Sequence, residues 1–162
     1  MKARILDIVR GTTVDGPGFR TAIYFAGCAH NCPGCHNPQS WDFSGGEEME
    51  LQDIVDIIYE EDFDVTLSGG DPLYQPMFAS ALIERIHELG KRTWVYTGFL
   101  WEEIIENPLL RDAVSQAEAV VEGRFLETLK NPDLAFRGSS NQRIIDVKKS
   151  LETATPVEIM RI

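Results

Sequence analysis

The most informative part of this chain is the stretch Thr21-Ala22-Ile23-Tyr24-Phe25-Ala26-Gly27-Cys28-Ala29-His30-Asn31-Cys32-Pro33-Gly34-Cys35-His36. Its first six residues are mainly β-branched and aromatic, which is typical of a strand. The three cysteines that follow are the only ones in the chain. Three thiolates can hold one metal centre, but they leave it one ligand short of a closed four-ligand site. The stretch therefore predicts a strand that leads into a metal site with an open position, where a substrate or cofactor binds.

The spacing of Cys28, Cys32 and Cys35 is C-x3-C-x2-C, and three kinds of site are compatible with it. Thiolates are soft ligands that suit an iron–sulfur cluster or zinc. A cluster would keep one iron without a protein ligand, whereas a structural zinc ion would be completed by His30 or His36. The end of the stretch also matches C-x-x-C-H, the attachment motif of c-type haem. Haem attachment generally requires export, and zinc leaves the glycine-rich strand ends described below unexplained, so the cluster is favoured.

Composition limits the class of protein. The chain has 162 residues, 43% of them hydrophobic, which predicts one domain with an ordinary core. Its formal net charge of −11 disfavours nucleic acid as a partner, because an acidic surface repels phosphates. The N-terminus does not resemble a secretory signal, and no stretch approaches the ~20 apolar residues of a membrane span. We therefore expect a cytoplasmic protein without a membrane partner, in which clustered cysteines bind metal rather than form disulfides.

Predicted strands and helices alternate along the chain. The hydrophobic pattern predicts strands over residues 5–9, 21–26, 64–67, 92–96, 119–121 and 143–147. It predicts helices over residues 50–61, 77–89, 101–105 and 109–117. This alternation predicts an α/β fold of parallel strands joined by crossover helices. The prediction is a single domain over residues 1–162, with a weakly patterned tail from about residue 148.

Unusual residues follow the ends of four predicted strands. They are the cysteine loop, Gly69-Gly70-Asp71, Thr97-Gly98 and Glu122-Gly123. The carboxyl ends of parallel strands form the ligand-binding edge of such sheets, so we expect these segments to lie together. Glycine lets the backbone approach a ligand closely. Thr97 either offers a hydroxyl to that ligand or caps the next helix, and Glu122 either accepts a hydrogen bond from the ligand or faces water.

The cysteine motif resembles the signature of radical S-adenosylmethionine (SAM) enzymes. Two flanking segments are similar to those of glycyl-radical-enzyme activases, namely Thr13-Val14-Asp15-Gly16-Pro17-Gly18-Phe19-Arg20 and Cys35-His36-Asn37-Pro38-Gln39-Ser40-Trp41. Four more segments narrow the resemblance to the activating proteins of anaerobic (class III) ribonucleoside-triphosphate reductases: Ser68-Gly69-Gly70-Asp71-Pro72-Leu73, Trp94-Val95-Tyr96-Thr97-Gly98, Val121-Glu122-Gly123-Arg124-Phe125 and Arg137-Gly138-Ser139-Ser140-Asn141-Gln142-Arg143. The resemblance extends from residue 14 to about residue 146.

The resemblance implies a chemistry and its partners. Cys28, Cys32 and Cys35 would carry a [4Fe–4S] cluster whose fourth iron binds SAM. Reductive cleavage would yield methionine and a 5′-deoxyadenosyl radical, which takes a hydrogen atom from a glycine of the reductase catalytic subunit. Flavodoxin or a thioredoxin system would donate the electron. The alternatives are an activase of another glycyl-radical enzyme, such as a formate-lyase type, and a non-catalytic zinc-stabilised binding module.

The resemblance also implies an architecture and roles for individual residues. The fold would be a partial, open (β/α) barrel of parallel strands, about six or fewer, that admits a polypeptide loop. Gly34, Cys35 and His36 would lie on the adenine side, although many relatives have an aromatic residue where Gly34 stands. The remaining implied cofactor-binding residues are Gly69, Gly70 and Asp71, near the methionyl amino group, and Thr97 and Glu122. The implied loop near the substrate glycine contains Asp15, Gly16, Gly18 and Arg20.

Overall fold

The structure is a computed structural model that describes residues 1–159. Its sheet has seven strands: β1 (Lys2–Thr12), β2 (Arg20–Phe25), β3 (Glu47–Glu50), β4 (Asp64–Gly69), β5 (Thr93–Tyr96), β6 (Ala119–Glu122) and β7 (Arg143–Asp146). The α-helices are α1 (Leu51–Glu61), α2 (Pro76–Glu88), α3 (Trp101–Glu106), α4 (Pro108–Val114) and α5 (Val147–Thr153). The last three residues of the predicted tail, 160–162, lie outside the described part.

The strand order across the sheet is β3-β1-β2-β4-β5-β6-β7. The strands β2, β4, β5 and β6 are parallel to one another, which confirms the predicted α/β class with parallel strands. The strands β1, β3 and β7 pair antiparallel with their neighbours. The connection from β1 to β2 covers only residues 13–19, too short for the crossover of a dozen or more residues that a parallel pair needs.

The expectation of about six strands or fewer is wrong. The additional strand is β3, a four-residue segment of sequence Glu-Glu-Met-Glu in which only Met49 is partly buried. It pairs with the start of β1 at one edge of the sheet. Since an exposed edge strand of glutamates has no apolar alternation, the hydrophobic pattern could not reveal it.

Side chains of the central strands alternate between two faces of the sheet. On one face, Leu67, Val95 and Val120 join the main core together with Leu82 and Ile86 of α2. On the other face, a smaller apolar cluster contains Trp94, Ala119, Val121 and Ile144. Because the helical core covers only the first face, the second is available to line a cavity, and we call it the inner face.

The predicted tail begins with a helix that the sequence pattern did not indicate. The Asp146 carboxylate accepts a hydrogen bond from the backbone N–H of Lys149 at 3.0 Å and so caps α5. The buried residues of this short helix are Val147 and Ser150, too few to produce an amphipathic pattern. Among residues 1–159, no helix has both the length and the apolar character required to cross a membrane.

Candidate metal and cofactor site

A cavity of about 530 Å³ lies where the parallel strands end. All three cysteines line it, and so do residues that follow or end the next three parallel strands: Gly69, Gly70, Thr97, Gly98 and Gly123. This placement puts four strand ends around one cavity, as expected for ligand sites in parallel α/β sheets. Its volume is within the range of small-molecule binding sites.

The cysteines fit an iron–sulfur cluster by their number and state. Cys28, Cys32 and Cys35 are half-buried free thiols that line the same cavity. Within the described part of the chain, no group of three or more His, Cys, Asp or Glu side chains is arranged to hold a single metal ion. A cluster distributes its thiolate ligands over separate irons and does not require them to meet at one point. Burial raises the pKa of the Cys28 thiol to about 11, so metal binding has to displace its proton.

The glycine pair at the end of β4 holds the start of the cysteine loop. Gly70 donates its backbone N–H to the carbonyl of Phe25, and Asp71 donates its own to the carbonyl of Gly27, both at 2.9 Å. A Cβ atom on Gly70 would lie 2.5 Å from the carbonyl oxygen of Gly27. The absence of a side chain at Gly70 therefore lets two strand ends approach, in addition to leaving room for a ligand.

The Asp71 carboxylate does not line the cavity, although the resemblance implies a cofactor contact there. It is fully buried, and three donors reach its Oδ2 atom. Thr97 Oγ1 and the Gly98 backbone N–H donate to it at 2.8 and 2.9 Å, and His30 Nε2 lies 2.7 Å away. The structure therefore gives Asp71 a role within the protein. It also directs His30, which the zinc interpretation used as a ligand, toward a carboxylate.

Glu122 is likewise turned away from the cavity. Its carboxylate is fully buried and accepts a hydrogen bond from the backbone N–H of Trp101 at 2.6 Å. Arg143, which lies opposite it in the β6–β7 pairing, donates to it at 3.0 and 3.1 Å. These hydrogen bonds raise the pKa of the Arg143 guanidinium. A buried carboxylate requires such a partner, and the register of β6 and β7 places Arg143 opposite Glu122 to supply it.

The segment implied to lie near the substrate glycine, residues 13–19 with Arg20, is only partly at the cavity. Asp15 lines the cavity, whereas Gly16, Gly18 and Arg20 do not. The Asp15 carboxylate accepts a hydrogen bond from the Tyr24 hydroxyl, and its backbone carbonyl accepts one from Thr66. We call residues 13–19 the floor loop, because side chains of the inner face hold it beneath the cavity.

Arg20 lies below the floor loop and is nearly fully buried. Its guanidinium donates to the carbonyls of Pro17 and Val65 at 3.0 Å and lies over the ring of Trp94. Burial lowers the pKa of this guanidinium, because the charged group has left water without a carboxylate hydrogen bonded to it. Arg20 therefore supports the floor loop rather than the cavity wall.

The residues implied to lie on the adenine side are divided between the cavity and its surroundings. His36 lines the cavity, and its ring centre lies 5.2 Å from that of Phe125, which lines it too. Gly34 does not line it. A Cβ on Gly34 would lie 2.9 Å from Glu127 Cδ, and the positive φ of 75° favours glycine. Gly34 therefore has a structural reason to be glycine, and of the residues implied to lie on the adenine side His36 is the one with a ring at the cavity.

Several residues at the cavity were not assigned a role from the sequence. They are Tyr24, Tyr96, Phe125, Phe136 and Arg137. Arg137 is the only lysine or arginine in the described lining of the cavity. It belongs to the long segment between β6 and β7, which has no hydrophobic periodicity. The sequence motif Arg-Gly-Ser-Ser-Asn-Gln contains this arginine, but only the fold shows that Arg137 reaches the cavity lined by the three cysteines.

Comparison with known proteins identifies a matching family model and several relatives of this chain. The family model described as "4Fe-4S single cluster domain" matches residues 14–145. The chain is 39% identical over 141 residues to the anaerobic ribonucleoside-triphosphate reductase-activating protein of Salmonella typhi, covering 80% of this chain and 89% of that protein. The protein of that name in Escherichia coli K12 is 36% identical over 140 residues, with the same coverage.

Two more distant matches are informative. The pyruvate formate-lyase-activating enzyme of Clostridium pasteurianum is 35% identical over 115 residues, covering 64% of this chain but only 48% of that protein. The crystal structure of QueE from Escherichia coli superimposes with a TM-score of 0.53 at 14% identity, covering 75% of this chain and 71% of QueE, and this likeness concerns the fold alone. The resemblance inferred from the motifs is confirmed: the chain matches a 4Fe-4S single-cluster domain and belongs to the family of anaerobic ribonucleoside-triphosphate reductase-activating proteins.

Proposed function

We propose that this protein is a radical SAM activase that generates a glycyl radical on an anaerobic ribonucleoside-triphosphate reductase. The observation that carries the proposal is the presence of Cys28, Cys32 and Cys35 in one cavity with the Gly69-Gly70 strand end. Three thiolates leave one iron of a [4Fe–4S] cluster for another ligand. A cluster and SAM bound there would supply radical chemistry directed at a glycine Cα of the partner, with one electron from an external donor.

The residues of the cavity wall are suited to bind and orient SAM. Arg137 donates through Nη1 to the carbonyl of Gln142 at 3.3 Å, and its buried Nε has no hydrogen-bond partner among the described residues. We assign this guanidinium to the carboxylate of SAM, because an arginine fork binds carboxylates through two donors. We assign the adenine to the side of the cavity where His36 and Phe125 present their rings. We assign the methionyl amino group to the cavity wall formed by Gly69 and Gly70.

The floor loop and the open edge of the sheet have different roles in this proposal. The floor loop closes the cavity from below, since Asp15 is held by Tyr24 and Thr66. The sheet is open, with β3 and β7 at its two edges, which leaves room for a polypeptide loop of the partner. The partner is a glycyl-radical enzyme, and we propose the catalytic subunit of the reductase.

A formate lyase is a second candidate partner, and the comparisons support it less well than the reductase. The pyruvate formate-lyase-activating enzyme matches this chain over 115 residues, but less than half of its own length corresponds to this chain. The reductase activases are matched over 89% of their length. We further propose that the protein works in the cytoplasm as a single domain, with an electron donor such as flavodoxin or a thioredoxin system, because reduced thiols and a reductant are available there.

The test is to purify the full chain without oxygen and to measure iron, sulfide and zinc together. We expect about four irons and four sulfides per chain after reconstitution. Reduction with SAM should yield 5′-deoxyadenosine, and incubation with the purified reductase should give the electron-spin-resonance doublet of a glycyl radical. Cys28→Ala, Cys32→Ala and Cys35→Ala should each abolish both products. Stoichiometric zinc with no 5′-deoxyadenosine would refute the proposal, and a doublet only on formate lyase would reassign the partner.

A further inference from the structure

Three strand ends around the cavity converge on the carboxylate of Asp71. Its Oδ2 atom is shared by His30 from the cysteine loop and by Thr97 and Gly98 from the end of β5. Its Oδ1 atom accepts the backbone N–H of Leu73 at 2.9 Å. One fully buried side chain thus joins the ends of β2, β4 and β5. We call His30, Asp71, Thr97 and Gly98 the Asp71 cluster.

His30 has little freedom within this cluster. Its side chain is only 3% exposed, and its ring packs against Tyr74 at 5.2 Å and Phe99 at 4.8 Å between ring centres. A Cβ on Gly98 would lie 2.4 Å from His30 Cδ2, so the imidazole lies directly on the backbone there. Packing and hydrogen bonding therefore specify a single orientation of the ring.

The position of His30 in the chain makes this restraint relevant to metal binding. His30 lies midway between Cys28 and Cys32, with one residue on either side. Both of its neighbours, Ala29 and Asn31, are exposed, and Asn31 has a positive φ of 54°. The hydrogen bond between His30 and Asp71 ties the middle of the segment between these two cysteines to the end of β4.

We infer that His30 and Asp71 are positioning residues, which set the geometry of Cys28 and Cys32 before and after the cluster is bound. The role of this pair in the reaction rests on the proposed function. Its effect on the apoprotein does not depend on that function. Thr97, which the sequence assigned to the cofactor, acts here through its hydroxyl on Asp71.

The first experiment compares rates of cysteine alkylation in the full-length apoprotein. Asp71→Asn preserves volume but replaces the accepting Oδ2 by a donor. We expect Cys28 and Cys32 to react about tenfold faster in this variant, because a lost hydrogen bond to a charged group has an effect of that order. Cys35, which lies beyond the segment, is the internal reference and should change little. Asp53→Asn, on the exposed surface of α1, is the matched control.

Two substitutions of His30 separate hydrogen bonding from packing. His30→Gln keeps a donor near the position of Nε2, whereas His30→Phe keeps an aromatic ring without a donor. We expect His30→Gln to retain slow alkylation of Cys28 and His30→Phe to lose it, with His87→Gln at an exposed position as the control. Thr97→Val removes one donor from Asp71 and leaves His30 in place, so it should have a smaller effect.

The second experiment uses the reconstituted protein. In Asp71→Asn and His30→Phe we expect an altered electron-spin-resonance spectrum of the reduced cluster with SAM, and more 5′-deoxyadenosine formed per glycyl radical. A wild-type protein that binds no cluster would refute the proposed function and leave the alkylation result intact. A wild-type protein that is active, with Asp71→Asn and His30→Phe equal to it in alkylation and spectrum, would overturn the positioning role.

Discussion

Arg143 on β7 donates to Glu122 on β6 with Nε 3.0 Å from Oε1 and Nη2 3.1 Å from Oε2. The carboxylate is wholly buried, while the arginine side chain is 27% exposed and also contacts Glu102. This relationship joins the last parallel strand to the antiparallel edge strand. It also means that protein donors occupy the carboxylate of the acidic residue that ends the parallel strand β6.

Glu122→Gln should therefore reduce stability. The substitution replaces the charged acceptor of three hydrogen bonds by a neutral amide in a fully buried position, and we expect a loss of about 1–3 kcal/mol in the free energy of unfolding. Chemical denaturation of the apoprotein measures this loss. The control is Glu102→Gln, whose carboxylate is 55% exposed and should contribute no more than about 1 kcal/mol. If Glu122→Gln kept wild-type stability but weakened SAM binding, the carboxylate would be a cofactor contact after all.

Gly70→Ala should prevent the cysteine loop from adopting its native position against the end of β4. The added Cβ would meet the backbone oxygen of Gly27 at 2.5 Å, and backbone cannot move aside as a flexible side chain can. We expect a destabilisation of about 1–3 kcal/mol from overpacking, together with a clear loss of iron after reconstitution.

The control for this substitution is Gly90→Ala, at a position with φ of 74° where an added Cβ meets nothing within 4 Å. It should cost about 1–2 kcal/mol through backbone strain alone and leave iron binding unchanged. Equal iron content in both variants would show that close approach at Gly70 is not required for the cluster.

Arg137→Gln should weaken SAM binding to the reconstituted protein. The guanidinium is the only positively charged lysine or arginine side chain in the described cavity lining, and its loss removes a charge-assisted pair with the carboxylate. We expect Kd for SAM to rise about tenfold to a hundredfold, with Arg137→Lys between this variant and wild type. Equilibrium binding measures the change.

Arg124→Gln is the control for Arg137, since its side chain is 42% exposed and pairs with Glu103 outside the cavity lining. Its affinity for SAM should equal that of the wild type. An Arg137→Gln variant with unchanged affinity would place the carboxylate elsewhere in the cavity.

The tyrosines of the inner face should resist ionisation. Burial raises the pKa of Tyr24 and Tyr96 well above the usual value of 10.0, and for Tyr24 the hydrogen bond to Asp15 contributes further. The unfolded chain loses these protons near pH 10 while the folded chain retains them, so this contribution to stability is present below pH 10 and declines as pH rises above it.

Alkaline titration followed by ultraviolet absorbance tests this prediction. We expect part of the tyrosine signal to appear only as the chain unfolds, and Tyr24→Phe to reduce that part. Four tyrosines are present, and the exposed Tyr59 provides the reference for ordinary behaviour. Complete titration of all of them near pH 10 in a folded chain would contradict the buried environment of the inner face.

The local sequence was sufficient for the central elements of the fold. Apolar runs predicted the parallel strands and the helices between them, because those elements are buried and their patterns are strong. It was insufficient for β3 and α5, whose residues are mostly exposed. The strand β3 pairs with β1, and the helix α5 is capped by Asp146. The pattern of apolar residues encodes neither interaction.

The sequence by itself determined that three cysteines stand in one short loop and that glycines follow the buried strands, since both are properties of neighbours along the chain. Only the tertiary structure decided which polar side chains face the cavity. Asp71 follows β4 and Glu122 ends β6, positions typical of ligand-binding residues in parallel sheets. Their carboxylates are instead directed into the protein by partners distant in sequence, His30 and Arg143. The physical reason is that a buried carboxylate takes the donors that the sheet brings to it, and strand order and register select those donors.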